Sequence, residues 1–448
     1  MNDEHSKLDK DISAKFLLKF SLPTILSMIF MSVFGIIDGV FVSRIIDPAA
    51  MAPVSIVFPF LMFALAIGFM IGVGGNALAA KKIGMGEHQK AREIFTLISV
   101  VAFSVSVVMS SISIIAPTQV LSLLGADYTV YAMALEYMIP ISWMLPVMVM
   151  GAIFQQFFMT EGKAHVSMVL SLIGGLANVG LNWLLIYYLQ MGLMGAAVAT
   201  GIGSAIPSVI GFFYFIFNKK GTLYFVSPKW DLGVLVSASI NGSSEFVTMM
   251  SVSITSIFMN NISIRIDGLE AVAAIGIIFG TMQILMSLFI GYSSGILPLI
   301  SFNFGKDNTE RLKQIYSKSL VIIGIISVLS LALAWIFTDA FIRIYVEPGN
   351  RIYDLAIIGF RIITASFLLM GYNSFGSVLF TALNNGKISA LLSFSRTLVF
   401  VIILLLILPE IFGLYGVFIA MPAAEILAIV VTFYFLNKMK PRYKYGNI

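Results

Sequence analysis

Five polar side chains inside otherwise apolar stretches carry most of the chemistry this sequence offers. Asp38 stands in FGIIDGVFVS, in the outer half of the first apolar run, flanked by Gly35 and Gly39, where a neighbouring backbone can come close. Asn178 and Asn182 lie four residues apart in a later run. On a helix they share one face with Ser171 and with Gly174 or Gly175. Thr200, on the next run, can join them. Carboxylate, amide carbonyl and hydroxyl oxygens are what a hard cation prefers, and the same set can tune the affinity of Asp38 for a proton. A plainer reading stands beside each. Asp38 could mark an early helix end at the outer interface, although the apolar run through Val42 argues against that. The amides and the hydroxyl could simply bond helices together.

Glu245 is the fifth. It lies near the middle of NGSSEFVTMMSVSITSIFMNN, a run loaded with Ser, Thr and Asn that should line water. A carboxylate there can carry a proton or attract a cationic substrate, with Asn241, Thr248, Ser251 and Thr255 completing a wettable face. Met249, Met282 and Met286 have the adaptable thioethers that suit an undiscriminating apolar cavity, though methionines at helical spacing more often just pack. Arg396 and Glu425, on the last two runs, fall at depths where they can meet as a structural ion pair. Arg361 can snorkel outward.

These groups need a frame, and the composition dictates which. The chain has 448 residues, 59% hydrophobic and only 11% charged, with a mean hydropathy of +0.98. No soluble surface can be built from it. About 20 apolar residues cross about 30 Å of hydrocarbon, and runs near 16–44, 51–79, 93–116, 131–158, 165–189, 193–217, 232–263, 270–301, 316–338, 352–382, 389–409 and 413–437 meet that need. The first residues lack the short apolar core and cleavage site of a signal peptide, so the first run should stay as an uncleaved span. Alternating the loops between two sides puts 21 of the 27 basic residues on one side. Arg44, Arg265, Arg343 and Arg351 fall on the other, with Arg361 and Arg396 inside spans. Basic residues gather in short cytoplasmic loops, so both termini are predicted cytoplasmic, in a multi-pass protein of the cell membrane.

Several classes drop out. Cysteine is absent and the three histidines are scattered over polar segments, which removes thiolate sites and Cys nucleophiles. HExxH, GxSxG and paired intramembrane Asp are missing, so no enzyme is expected; neither is a GxxxxGK[ST] loop for ATP. The basic residues do not cluster as nucleic-acid binding requires.

The chain repeats itself. GLMGAAVA at 192–199 recurs as GLYGVFIA at 413–420, FMTEGK at 158–163 recurs as ALNNGK at 382–387, and AKKIGMGEHQKAREI at 80–94 echoes SFNFGKDNTERLKQI at 301–315. Six spans per half is an even number, so the halves are parallel repeats. The expected fold is therefore all-α, with twelve transmembrane helices in two six-helix lobes around a central cavity. A tail at 1–15, lobes at 16–217 and 232–437, a linker at 218–231 and a tail at 438–448 complete it. Pro23, Pro146, Pro207, Pro298 and Pro422 would kink their helices.

The repeated halves, Asp38, the paired amides and GSSEF together resemble the multidrug and toxic compound extrusion (MATE) family, and IDGVFVSRIIDPAAMAPVSIVFP resembles its MepA-like branch. The resemblance runs from Lys15 to Leu436. It implies an antiporter that extrudes small cationic or amphipathic drugs and dyes against inward H+ or Na+, alternating between outward-facing and inward-facing states, with no cofactor and as a monomer in the lipid bilayer. It places the first-lobe cation site, sodium included, on Asp38, Asn178, Asn182 and Thr200. Many family members carry Asp at the position of Asn182, so this site has one fewer negative charge. Glu245 is similar to an acid that one branch carries in the seventh span. A further acid of that branch, in the tenth, is replaced here by Tyr372 and Asn373, which would face the cavity. A flippase of lipid-linked precursors from the same superfamily is the competing expectation, although such proteins commonly have two more helices and a more basic cavity.

Overall fold

The computed structural model describes residues 12–46, 50–124, 126 and 130–446. Most of the expected N-terminal tail, the Asp47–Ala49 part of the quoted stretch and the last two residues lie outside these. No water is available in hydrocarbon to satisfy a peptide group, so each apolar run must close its hydrogen bonds on itself, and each becomes a helix. Among the described residues eleven helices are long and apolar enough to cross a membrane, from Ala14–Ile46 and Pro53–Gly84 to Gly386–Phe412 and Leu414–Tyr443. The expected tenth span is a bent pair, Arg351–Thr364 and Phe367–Ala382, meeting at 50°. Thr364 turns its hydroxyl back onto the Phe360 carbonyl at 2.7 Å, a bond that competes with the helical ladder and favours a bend there.

The seventh and eighth spans, Leu232–Gly268 and Glu270–Gly305, are separated only by a reversal at Gly268, whose φ of 75° is a left-handed conformation that a side chain would strain. Arg351 fastens this turn by pairing with both Asp267 and Glu270. Asparagine caps begin the helices after three other loops: Asn308, Asn350 and Asn385 accept from the amides of Arg311, Ile352 and Ile388.

The chain forms two compact units. One holds residues 26–246 and the other 11–25 with 247–448. The division therefore falls inside the first and seventh spans rather than at the linker. The linker is fastened along the first unit: Glu161, buried, accepts the amides of Thr222 and Leu223 at 2.8 Å each, Arg92 donates to the Thr222 carbonyl at 2.9 Å, and Phe225 packs on Phe95 and Phe154. Residues 11–25 are held in the second unit, where Lys318 donates to the Ile12 carbonyl. The second unit has a hydrophobic core built around Met282, Phe289, Phe360, Phe367 and Phe418.

Candidate functional site

The first unit brings Asp38, Asn178, Asn182 and Thr200 together. The Asn182 amide donates to Asp38 Oδ1 at 2.7 Å, the Asn178 amide at 3.5 Å, and the Thr200 hydroxyl reaches both carboxylate oxygens at 3.4 Å. Asn178 also donates to Thr200 at 3.3 Å, and accepts from Asn182 at 3.3 Å. Two helical spacings produce this. Asn178 and Asn182 face the same way because they are one turn apart; Thr200 comes from Gly192–Phe217, whose small residues let it lie close to the fifth span. Asp38 and Thr200 are half-buried, and Asn182 is wholly so.

Among the described residues no cationic side chain pairs with Asp38, and the buried Asn182 Oδ1 has no hydrogen-bond partner. Which amide atom points at Asp38 follows from the hydrogen-bond pattern. A half-turn of either amide presents a carbonyl oxygen instead of an N–H. The cluster can thus hold a bare carboxylate by donation or surround a monovalent cation with oxygen.

The site opens on a cavity of about 210 Å³ within the same unit, lined by Met31, Phe34, Gly35, Gln155, Ser171, Gly174, Gly175, Gly203, Ser204 and Pro207 beside the site residues. Gln155 and Ser204 were not singled out from the sequence. Gln155 accepts from Ser171 at 2.7 Å. Its signal is an amide inside the apolar run GAIFQQFFMT, the same kind of signal that marks Asn178 and Asn182.

Fifth and sixth spans touch at Gly174 and Gly203. A Cβ on Gly203 would lie 2.7 Å from the Gly174 carbonyl oxygen and 2.8 Å from the Asn178 Cβ. The backbone oxygen cannot yield, so Asn178 must. Gly203→Val is expected to cost about 1 to 3 kcal/mol by overpacking and to pull the amide off Asp38. Thermal unfolding of the variant beside the wild type measures the cost.

The other sequence candidates separate. Glu245 is half-buried and belongs to the first unit with the buried Asn241; among the described residues no side-chain hydrogen bond or ion pair reaches its carboxylate. Thr248 and Met249 are half-buried in the second unit. Ser251 and Thr255 are buried and donate to the carbonyls of Val247 at 2.6 Å and Thr397 at 3.1 Å, so the wettable face is shorter than expected. Met282 is fully buried in the apolar core and Met286 packs against it. Both are held there by apolar packing. Tyr372 is half-buried near Phe433.

Asn373 is tied into the second unit. It is buried, and its amide donates to Glu425 Oε2 at 2.6 Å and to the Glu425 carbonyl at 3.1 Å. Arg396 meets the other carboxylate oxygen at 2.8 Å, and Thr432 donates to Asn373 Oδ1 at 2.8 Å. These four side chains form a closed network in the second unit, with both carboxylate oxygens of Glu425 engaged. Among the described residues no three of His, Cys, Asp and Glu gather as a metal site.

The MatE family model matches the chain twice, over residues 23–184 and 246–407, at the spacing of the internal repeat. Similar relatives include the multidrug export protein MepA of Staphylococcus haemolyticus, 23% identical over 439 residues and covering 96% of this chain and 94% of that protein. MepA of Staphylococcus aureus is 23% identical over 435 residues, with 96% and 94% covered. Among solved structures, a MATE protein in complex with MaL6 superposes with a TM-score of 0.93 at 21% identity, covering 99% and 100% of the two chains. An outward-facing MATE family multidrug resistance transporter superposes at 0.92 with 20% identity and 99% of each chain. The structural likeness speaks for the fold, and the doubled family match over well beyond half the length speaks for descent: this chain belongs to the MatE family, the multidrug and toxic compound extrusion transporters.

Proposed function

We propose that the protein exports small cationic or amphipathic drugs and dyes across the cell membrane by alternating access, in exchange for an inward-moving H+ or Na+ taken at Asp38. The observation that carries this is the contrast in partners. Asp38 is held only by uncharged donors beside a cavity, so its countercharge is free to come and go. An intramembrane carboxylate that needs no fixed cation is costly to keep, at about 2.5 to 3.5 kcal/mol on insertion scales, and exchange gives it a use. The names of the curated relatives support drugs as the cargo. The spread of basic residues over the loops supports cytoplasmic termini.

Ethidium efflux from proteoliposomes, under an imposed pH gradient and then an imposed Na+ gradient, tests this reading. Efflux driven by one gradient and not by equal concentrations is expected; none under either gradient would remove it and bring the lipid-precursor flippase forward.

Two further outcomes follow. Glu245→Gln should lower export of cationic dyes roughly tenfold relative to neutral drugs, equivalent to about 1.4 kcal/mol of lost attraction; paired transport assays on one cationic and one neutral compound measure it. Asn182→Asp should restore a second negative charge at the site and raise Na+ affinity roughly tenfold, read by 22Na+ binding to the purified protein.

A further inference from the structure

The internal repeat allows each residue of the first-unit site to be located in the second half. The matched segments fix an offset of 224 where the fifth and eleventh spans begin and 221 where the sixth and twelfth begin. Asp38 then corresponds to the Met259–Asn261 turn, Asn178 and Asn182 to 399–406, and Thr200 to Met421. None of these carries a carboxylate, and 399–406 reads VFVIILLL. Met259, Val401 and Leu405 belong to the buried core, and Met421 packs on it. The positions of Asn178, Asn182 and Thr200 are thus apolar in the second half, and that of Asp38 carries no carboxylate.

What the second half buries instead is an ion pair. Glu425 corresponds to Ser204, and Arg396 falls in the stretch equivalent to 172–175. Ser204, Gly174 and Gly175 are wall residues of the first-unit cavity. Glu425 therefore rises from a position that lines the first-half cavity, and Arg396 from a stretch that includes two of its wall residues. Of the second unit's described carboxylates Glu425 alone is buried, and all its partners are internal: the guanidinium at 2.8 Å, and Asn373 at 2.6 Å, itself tied to Thr432. Arg396 sits within a π-helical turn, Ser395–Val399, an irregularity that re-aims one side chain and is frequent at functional positions.

We propose that Arg396 is a tethered cation that permanently occupies Glu425, so that this buried carboxylate, unlike Asp38, never takes the driving ion. This rests on the Asp38 reading given above.

The test is the static-head drug gradient in proteoliposomes. The logarithm of the sustained ethidium ratio is plotted against the logarithm of the imposed ratio of the driving cation, with membrane potential clamped, and the slope is the number of cations per drug. The neutral pair Arg396→Met with Glu425→Gln is expected to give the wild-type slope, while Asp38→Asn gives a slope of zero. A slope lowered by one in the neutral pair would overturn the proposal, because the second half would then have been carrying a cation. If that pair does not fold, the swapped pair Arg396→Glu with Glu425→Arg is read by the same criterion. The two readings fail separately: an unchanged slope in Asp38→Asn sinks the assignment of Asp38, whereas only a changed slope in the pair variants sinks the tethered cation.

Discussion

Asp38→Asn is expected to cut gradient-driven dye efflux by about 100-fold, within the range that coupling between two ligands typically spans, while the protein folds and binds dye nearly as before. Asn keeps the size of the side chain and an oxygen for Thr200, and it loses only the charge. The amides at 2.7 and 3.5 Å would reorient without a buried charge to satisfy, so stability should hold or rise. Export would then collapse because the cation no longer favours one conformation, and a ligand shifts an equilibrium only by its difference in affinity for the two states. Efflux rate and equilibrium dye binding, measured on the same preparation, separate the two effects. Loss of binding along with transport would point to misfolding or to a drug contact at Asp38.

The second large effect is one of stability. Arg396→Ala is expected to cost about 3 to 5 kcal/mol, because removing one partner of a buried pair leaves the other charged and unpaired. Glu425 has a side chain only 5% exposed, so water cannot take over the role of the guanidinium. Adding Glu425→Gln should recover most of the loss, since a neutral amide can keep the bond with Asn373. Thermal unfolding of the three proteins in one detergent would show a deep drop and a rescue. Equal stability of Arg396→Ala and wild type would mean that the pair is solvated and contributes little.

Much of this was legible beforehand. The spans could be counted because a bilayer admits only self-satisfied backbone, so each apolar run had one possible structure. The residues at Asp38, Asn178 and Asn182 could be grouped because polar atoms in hydrocarbon are few and helical spacing fixes which share a face. Arg396 and Glu425 were paired on depth alone, and the structure places them 2.8 Å apart. Other features were hidden. A methionine looks the same in sequence whether it packs or lines a cavity, and the burial of Met282 in the hydrophobic core depends on neighbours far away in the chain. Asn373 stands in the span where the resemblance expects an acid, and its bond to Glu425 could not be read from the sequence because that partner lies 52 positions away. The division of the chain within the first and seventh spans leaves no mark in hydropathy, because a helix that passes from one unit to another stays apolar throughout.

The most direct measurement runs the exchange in reverse. Proteoliposomes loaded with the driving cation and a fluorescent reporter of it receive an inward ethidium gradient, with no cation gradient imposed. Coupling is reciprocal, so wild type should push cation outward as dye enters, and Asp38→Asn should admit no such flux. Cation flux that ignores the dye, or that persists in Asp38→Asn, would contradict exchange at this carboxylate.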